Sequence, residues 1–335
     1  MIDLSTEYLG LKLKSPLVVS SNPLTGSTED VQRLEAAGAA AVVLPSIFEE
    51  QLTLESNALD ADLTRGTESF SETTGFFPAY DNFRQGQDTY LELLRSAKKV
   101  AGIPVLASLN GATAGGWVAF AKEIEQAGAD ALELNTYSLP IDPRISSSVI
   151  EDGLVELVRQ VKACTKIPIA VKLSPQFTSI PSLAAKLDKV GADGLVLFNR
   201  FYQPDFDIDN LNVAPRLTLS RPEELLIRLH WAAILYGTVK AQIAITGGVH
   251  SAQDVLKSVM AGGQVAMLAS ALLFGGVSHL TAVQAELVRW MEEHEYTSIW
   301  QMRGSLSRQS VPNPVAFERG NYIKTLSSYT LRQSA

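Results

Sequence analysis

The chain sets one lysine among amides, hydroxyls and glycines at the ends of apolar runs. Lys172 lies inside Ala170-Val-Lys-Leu-Ser-Pro175, and comparable runs end in Ser20-Ser21-Asn22, Ser108-Leu109-Asn110, Asn135-Thr136-Tyr137-Ser138, Asn199-Arg200 and Thr246-Gly247-Gly248. Amide and hydroxyl groups in this density suit a planar ligand with several hydrogen-bonding edges, such as a heterocyclic ring. No carboxylate or histidine stands at these ends. A glycosidase would therefore lack its acid and base, and a catalytic metal would lack its His/Asp/Glu cluster, so no metal site is expected. A lysine inside a buried strand needs an anionic or carbonyl partner, because an unpaired buried charge is expensive. A ligand can supply that partner, and so can Glu133 or Asp193 inside the molecule.

The second chemical signal is a pair of turns in Ile243–Ser270. One apolar run ends in Gly247-Gly248, and a second ends in Ala269-Ser270 where another helix begins near Leu272. Glycines after a strand let the backbone approach a bound group with its N–H donors. A helix start adds donors and a positive dipole end, and the two turns together read as a phosphate site.

The elements that must hold these groups come from a repeat. A turn followed by an apolar strand (SPLVVSSN, IPVLASLNG, IPIAVKLSP, AQIAITGG) alternates four times with a helix end, a glycine and a strand (AAGAAAVVLPS, QAGADALELNT, KVGADGLVLFN, MAGGQVAMLAS). Strands are expected to start near residues 16, 40, 104, 131, 168, 194, 242 and 264. Their near-continuous apolar character fits a parallel sheet buried on both faces. Helical patterns over Asp30–Ala37, Trp117–Gln126, Leu154–Cys164 and Glu223–Tyr236 separate them. The fold predicted is an α/β (β/α)8 barrel of the TIM type, with the active site at the C-terminal ends of its strands. The intervals between starts are 24, 64, 27, 37, 26, 48 and 22 residues, so long loops follow strands two, four and six (Ile47–Gln87, Tyr137–Val149 and Phe201–Arg221). One domain is expected over residues 1–335, with a helical tail at its C-terminus.

Composition narrows the function. The 335 residues are 46% hydrophobic and 19% charged with a net charge of −8, enough for one full core and against a nucleic-acid surface. A single cysteine, Cys164, excludes an iron–sulfur cluster or a disulfide framework within the chain. The opening MIDLSTEYLG has no signal-peptide pattern, and Val259–Val277 is too interrupted by glycine for a membrane span, so a soluble cytoplasmic protein is expected.

Several segments together resemble the flavin-dependent dihydroorotate dehydrogenase family over nearly the whole length: SPLVVSSNPLT, ELNTYS, AVKLSP, DGLVLFN and ITGGVHSAQDVLKSVMAGGQVAMLASALLF. The resemblance implies FMN, with its phosphate at Gly247, Gly248, Ala269 and Ser270. It places Lys172 near the flavin N1–C2 edge, where its charge would balance reduced flavin. Asn110, Asn135 and Asn199 would bond the ring system, with Ser20 and Ser21 lining it. The family oxidises a carbon–carbon bond beside a carbonyl, a base taking a proton while the neighbouring carbon gives a hydride to flavin N5. The base position falls on Ser138, and Lys172→Met is expected to slow flavin reduction while leaving the fold intact.

Departures from the family concentrate on the substrate side. Pro45-Ser46 stands where the family keeps Lys-Ser, Glu72-Thr-Thr-Gly-Phe-Phe-Pro78 replaces an asparagine-rich stretch, and Leu139-Pro140 replaces Pro-Asn. The ligand expected is a small planar, dihydropyrimidine-like acid held by Asn135, Asn199 and Arg200, with Arg144 as a further candidate. Alternatively, Arg200 pairs with Asp205 or Asp207 in its own loop. Two other functions stay open: a flavin-free lyase or isomerase using Lys172 as a Schiff base, and a catalytically silent FMN-binding partner protein. A homodimer is expected, and the electron acceptor is not legible.

Overall fold

A computed structural model describes residues 2–48, 86–111, 117–136, 139–200, 203–319 and 321–327. A hairpin of β1 (Thr6–Tyr8) and β2 (Leu11–Leu13) precedes the barrel. The barrel strands follow as β3 (Leu17–Val19), β4 (Ala41–Phe48), β5 (Val105–Asn110), β6 (Ala131–Asn135), β7 (Ile169–Leu173) and β8 (Gly194–Leu197). A second hairpin, β9 (Asp205–Asp207) with β10 (Asn212–Ala214), lies in the loop after β8. Strands β11 (Gln242–Thr246) and β12 (Val265–Leu268) close the parallel barrel in the order β11-β12-β3-β4-β5-β6-β7-β8. Every barrel strand begins within one residue of its expected start.

The repeated helix end explains itself in the backbone. Gly38, Gly128, Gly191 and Gly262 all take positive φ (113°, 95°, 97° and 116°) just past a helix, the left-handed cap that lets the chain turn directly into the next strand. Helix boundaries differ from the sequence reading by one or two residues at Thr28–Ala36 and Leu225–Leu235, and two other helix starts differ in ways that bear on the site. The fourth loop is shorter than expected, because the helix Ser147–Cys164 starts seven residues before Leu154, with Ser146 as its extended N-cap. Its serine run reads as loop by composition but forms a helix start, where serine is favoured. The short helix after β12 starts at Ser270 rather than Leu272.

Inside the barrel the strand period of two separates an apolar floor from a polar upper layer. Val18, Leu106, Ala131, Ala170 and Ala244 pack into one interior cluster with Val196, Val265 and Met267. Two residues further along the same strands stand Ser20, Ser108, Glu133, Lys172 and Thr246, all buried. The N-terminal hairpin plugs the floor: Tyr8, Leu9 and Leu13 belong to the same cluster, and the Leu9 N–H donates to the Gln242 side chain at the foot of β11. Pro45, which cannot donate to a ladder, sits where the β4–β5 register slips between Val43 and Ser46. The Tyr90 hydroxyl fills that slip, accepting from Ser108 N–H (2.8 Å) and donating to Ser108 C=O (3.3 Å).

The helix-end glycines are not equivalent. A Cβ at Gly128 meets nothing within 4 Å, whereas one at Gly262 lies 2.5 Å from the Tyr236 ring. Gly128→Ala is expected to cost only the left-handed strain, roughly 1–2 kcal/mol, and Gly262→Ala clearly more. Urea unfolding of both variants checks this, and equal losses would remove the Tyr236 contact from the account.

Candidate active site

The C-terminal mouth of the barrel holds a cavity of about 290 Å³. Of the residues the sequence points to, Ser20, Ser21, Asn135, Lys172, Asn199, Arg200, Gly247, Gly248, Ala269 and Ser270 all line it. Asn110 is buried at the end of β5, opposite Asn135 in register, and is not among those lining residues. Ser138 and Glu72 lie outside the described residues.

The site is joined by side chains from neighbouring strands. Asn199 Nδ2 donates to Asn135 Oδ1 at 2.7 Å, tying the end of β8 to the end of β6. Hydroxyls form a chain on the other side: Ser21 is 3.4 Å from Ser46, and Ser46 is 2.7 Å from Ser108. Ser20 and Thr246 meet at 3.4 Å. These groups can present donors and acceptors around a flat ring without any rearrangement of charge.

Lys172 finds its protein partner in Glu133, not in Asp193. Its Nζ lies 3.1 Å from Glu133 Oε1, with the carboxylate side chain fully buried. Asp193 instead takes Lys162, 2.5 Å away. The absence of a carboxylate at the strand ends is therefore only literal, since Glu133 lies two residues before the end of β6 on the same face as Asn135. That spacing was the signal in ALELN that could have found it. The pair also corrects the expectation for Lys172→Met. Removing one partner of a buried ion pair strands the other charge, a cost of about 3–5 kcal/mol, so the fold would be weakened as well.

The Gly247-Gly248 and Ala269-Ser270 turns are bridged by Ser220, a buried residue from the loop after β8 that the sequence reading missed. Ser220 donates to Ser270 Oγ through both N–H (3.0 Å) and hydroxyl (2.8 Å), and its own Oγ accepts from Gly248 N–H (3.2 Å). His250 Nε2 lies 2.9 Å from the Ser220 carbonyl, holding the same loop from outside. Gly247 and Gly248 have φ of 86° and 82°. Their lack of a side chain answers close neighbours in the protein: a Cβ at Gly247 would sit 2.8 Å from Arg228 Nη2, and one at Gly248 2.5 Å from Leu225 N. Arg228, also missed, is buried on the helix Leu225–Leu235 and donates to the Thr246 carbonyl at 2.8 Å. Burial lowers its guanidinium pKa, Glu224 opposes the shift and Arg200 adds to it. A cation directly behind the glycine turn favours an anion in front of it.

Arg200 takes neither expected partner. Its Nε pairs with Glu224 at 3.1 Å and its Nη2 donates to Thr218 at 3.2 Å. Asp205 pairs with Arg216 at 3.4 Å, and Asp207 accepts from Asn210 at 2.8 Å. Arg144 is bound to Asp142 at 2.7 Å on an exposed surface.

A family model described as dihydroorotate dehydrogenase matches residues 3–291. The chain is 28% identical to the catalytic subunit of dihydroorotate dehydrogenase B (NAD(+)) from Thermoplasma acidophilum, over 91% of this chain and 99% of that protein. It is 30% identical to the subunit of the same name from Methanocella arvoryzae, over 78% of this chain and 85% of that one. The corresponding Pyrococcus abyssi protein is 26% identical, over 90% and 98%.

The glycine turn generates its own test. Gly248→Ala is expected to destabilise the protein with no ligand added, because its Cβ would meet the Leu225 backbone. Ser220→Ala removes only a hydroxyl and is expected to cost about 1 kcal/mol. Chemical unfolding of both compares them, and equal losses would show that Leu225 does not dictate the glycine.

Proposed function

The chain belongs to the dihydroorotate dehydrogenase family, flavin-dependent oxidoreductases acting on a CH–CH bond, and from that premise we propose that it binds FMN in the cavity and oxidises dihydroorotate or a related dihydropyrimidine acid. The observation that carries this reading is the joining, in one cavity, of a lysine, an amide pair and the bridged Gly247-Gly248 and Ala269-Ser270 turns. These residues fit the group. The turn N–H groups and the Ser220 and Ser270 hydroxyls, with Arg228 behind them, would hold the phosphate. Asn135, Asn199, Ser20 and Ser21 would bond the ring, with Asn110 supporting Asn135 from the adjacent strand. The comparisons lend no support to a flavin-free lyase or to a silent binding protein.

Bound FMN would supply the hydride acceptor. The protein's part is to orient the ligand, to place positive charge where negative charge develops, and to move one proton. Lys172 supplies the charge at the ring edge. Asn135 and Asn199 hold the substrate against the ring, and Arg200 reaches its carboxylate while Glu224 and Thr218 fix the guanidinium. Ser138, three residues past Asn135 in the sequence, is assigned as the proton acceptor; a serine needs a neighbour or a water to relay that proton onward.

The names of the relatives, catalytic subunits of an NAD(+)-dependent enzyme, support a further subunit that passes electrons to the acceptor. Among the described residues no helix is long and apolar enough to cross a membrane. A homodimer of this single-domain chain, working in the cytoplasm, completes the reading.

The purified protein, reconstituted with FMN, is expected to be yellow and to bleach anaerobically on addition of dihydroorotate. Ser138→Ala is expected to slow the bleaching by about 10²–10⁴-fold without loss of colour. A protein that takes up no flavin would overturn the cofactor assignment. A yellow protein that neither bleaches with dihydroorotate nor changes spectrum with orotate would overturn the substrate.

A further inference from the structure

We propose that Glu133 is a positioning residue for the redox site: it fixes Lys172 and offsets the lysine's charge, and so lowers the reduction potential of the flavin in the cavity. The inference rests on the flavin reading above and concerns a residue which that reading does not use. Lys172 stands on the cavity wall, with its side chain only 9% exposed, while Glu133, two residues before the register partner of Lys172 on the adjacent strand, is wholly enclosed. The two belong to adjacent strands, so the carboxylate reaches the ammonium from beneath and leaves its remaining donors for what lies above.

The carboxylate is poorly provided for as a structural group. Its Oε1 accepts from Lys172, but its Oε2 is buried with no hydrogen-bond partner among the described residues. The Tyr8 hydroxyl, on the hairpin that plugs the barrel floor, is likewise buried without a partner among them. Burial chiefly, and then the charge of Glu133, pushes the Tyr8 phenol well above its ordinary range. The Tyr90 phenol is raised by burial first, with Glu133 adding to it against the hydrogen bond from Ser108. An apolar pair of similar volume would make a core at least as stable, so stability alone gives no reason for a half-satisfied ion pair here.

Charge placement gives one. A lone ammonium at the ring edge would favour the negative charge that two-electron reduction brings and would hold it there. A carboxylate 3.1 Å behind that ammonium weakens its field at the ring, so electrons are accepted from substrate and still released to the next carrier. It also keeps the flexible lysine stem in one position, which a ring needs from a fixed charge.

The test compares wild type, Glu133→Gln, Lys172→Met and the double variant, each reconstituted with FMN, by anaerobic measurement of the midpoint potential. Glu133→Gln is expected to shift the potential positive, Lys172→Met negative, and the double variant to lie between them. A Glu133→Gln potential equal to that of wild type overturns the proposal. If a single variant retains no flavin, thermal unfolding of the four flavin-free proteins decides. Losses that add overturn the pairing, and a double variant more stable than the sum of the single losses supports it. A wild type that takes up no flavin refutes the cofactor reading, a result distinct from a yellow wild type whose potential ignores Glu133.

Discussion

A buried ion pair in the middle of a parallel barrel sets the terms for everything around it. Two charges removed from water are costly unless each is held by the other in a fixed geometry. The barrel meets that condition with strand pleat alone, since β6 and β7 place Glu133 and Lys172 on inward positions within reach. Below the pair, water must be kept out, and the β1–β2 hairpin does this with Tyr8, Leu9 and Leu13. Gly194 permits the plug: a Cβ there would lie 2.6 Å from Leu9 Cδ2. Above the pair the interior turns polar, because that end opens on the cavity. The one gradient, apolar floor to polar mouth, thus serves stability at one end and binding at the other.

The second organising contact lies on the opposite wall. Turns after β11 and β12 are neighbours by barrel order, but nothing in that order makes them face one pocket. Ser220 does so, by bonding to Ser270 and accepting from Gly248, and Arg228 presses the Gly247 turn from behind. Both belong to the long connection after β8 and the helix it enters. The extra length of that connection therefore helps build the site, which is what long loops on this face of a barrel commonly do.

How much of this was legible follows from the range of each interaction. Strand positions were readable to within a residue, because a strand buried on both faces declares itself as an unbroken apolar run such as Ile169–Leu173. The ring of Ser20, Asn135, Lys172 and Asn199 followed from strand ends in the same way. The start of Ser147–Cys164 was not readable, since three serines look alike in a loop and at a helix cap. Glu133 was half legible: the sequence named it with Asp193 as a partner for Lys172, and only the assembled strands decide between the two. Ser220 and Arg228 were not legible at all. Their partners at the two turns stand 18 to 50 residues away, and no local pattern distinguishes a serine that bridges two turns from one that ends a loop.

The charges at the cavity wall bear on how the proposed ligands would be held. Two carboxylates, Glu133 and Glu224, answer three cations, Lys172, Arg200 and Arg228, at or just behind the wall. The surplus is therefore about one positive charge. A bound phosphate monoester, at roughly −1.5 to −2 near neutral pH, would take more than that by itself. On the reading proposed here, a substrate carboxylate finds no unopposed cation among the described residues of the cavity wall, and Pro45 adds none. Its grip must then come from a guanidinium already shared with Glu224 and from neutral donors such as the Asn135–Asn199 amides. Neutral donors recognise shape and hydrogen-bonding pattern more than charge. Such a pocket discriminates between planar ligands by their ring edges and binds the acid group more weakly.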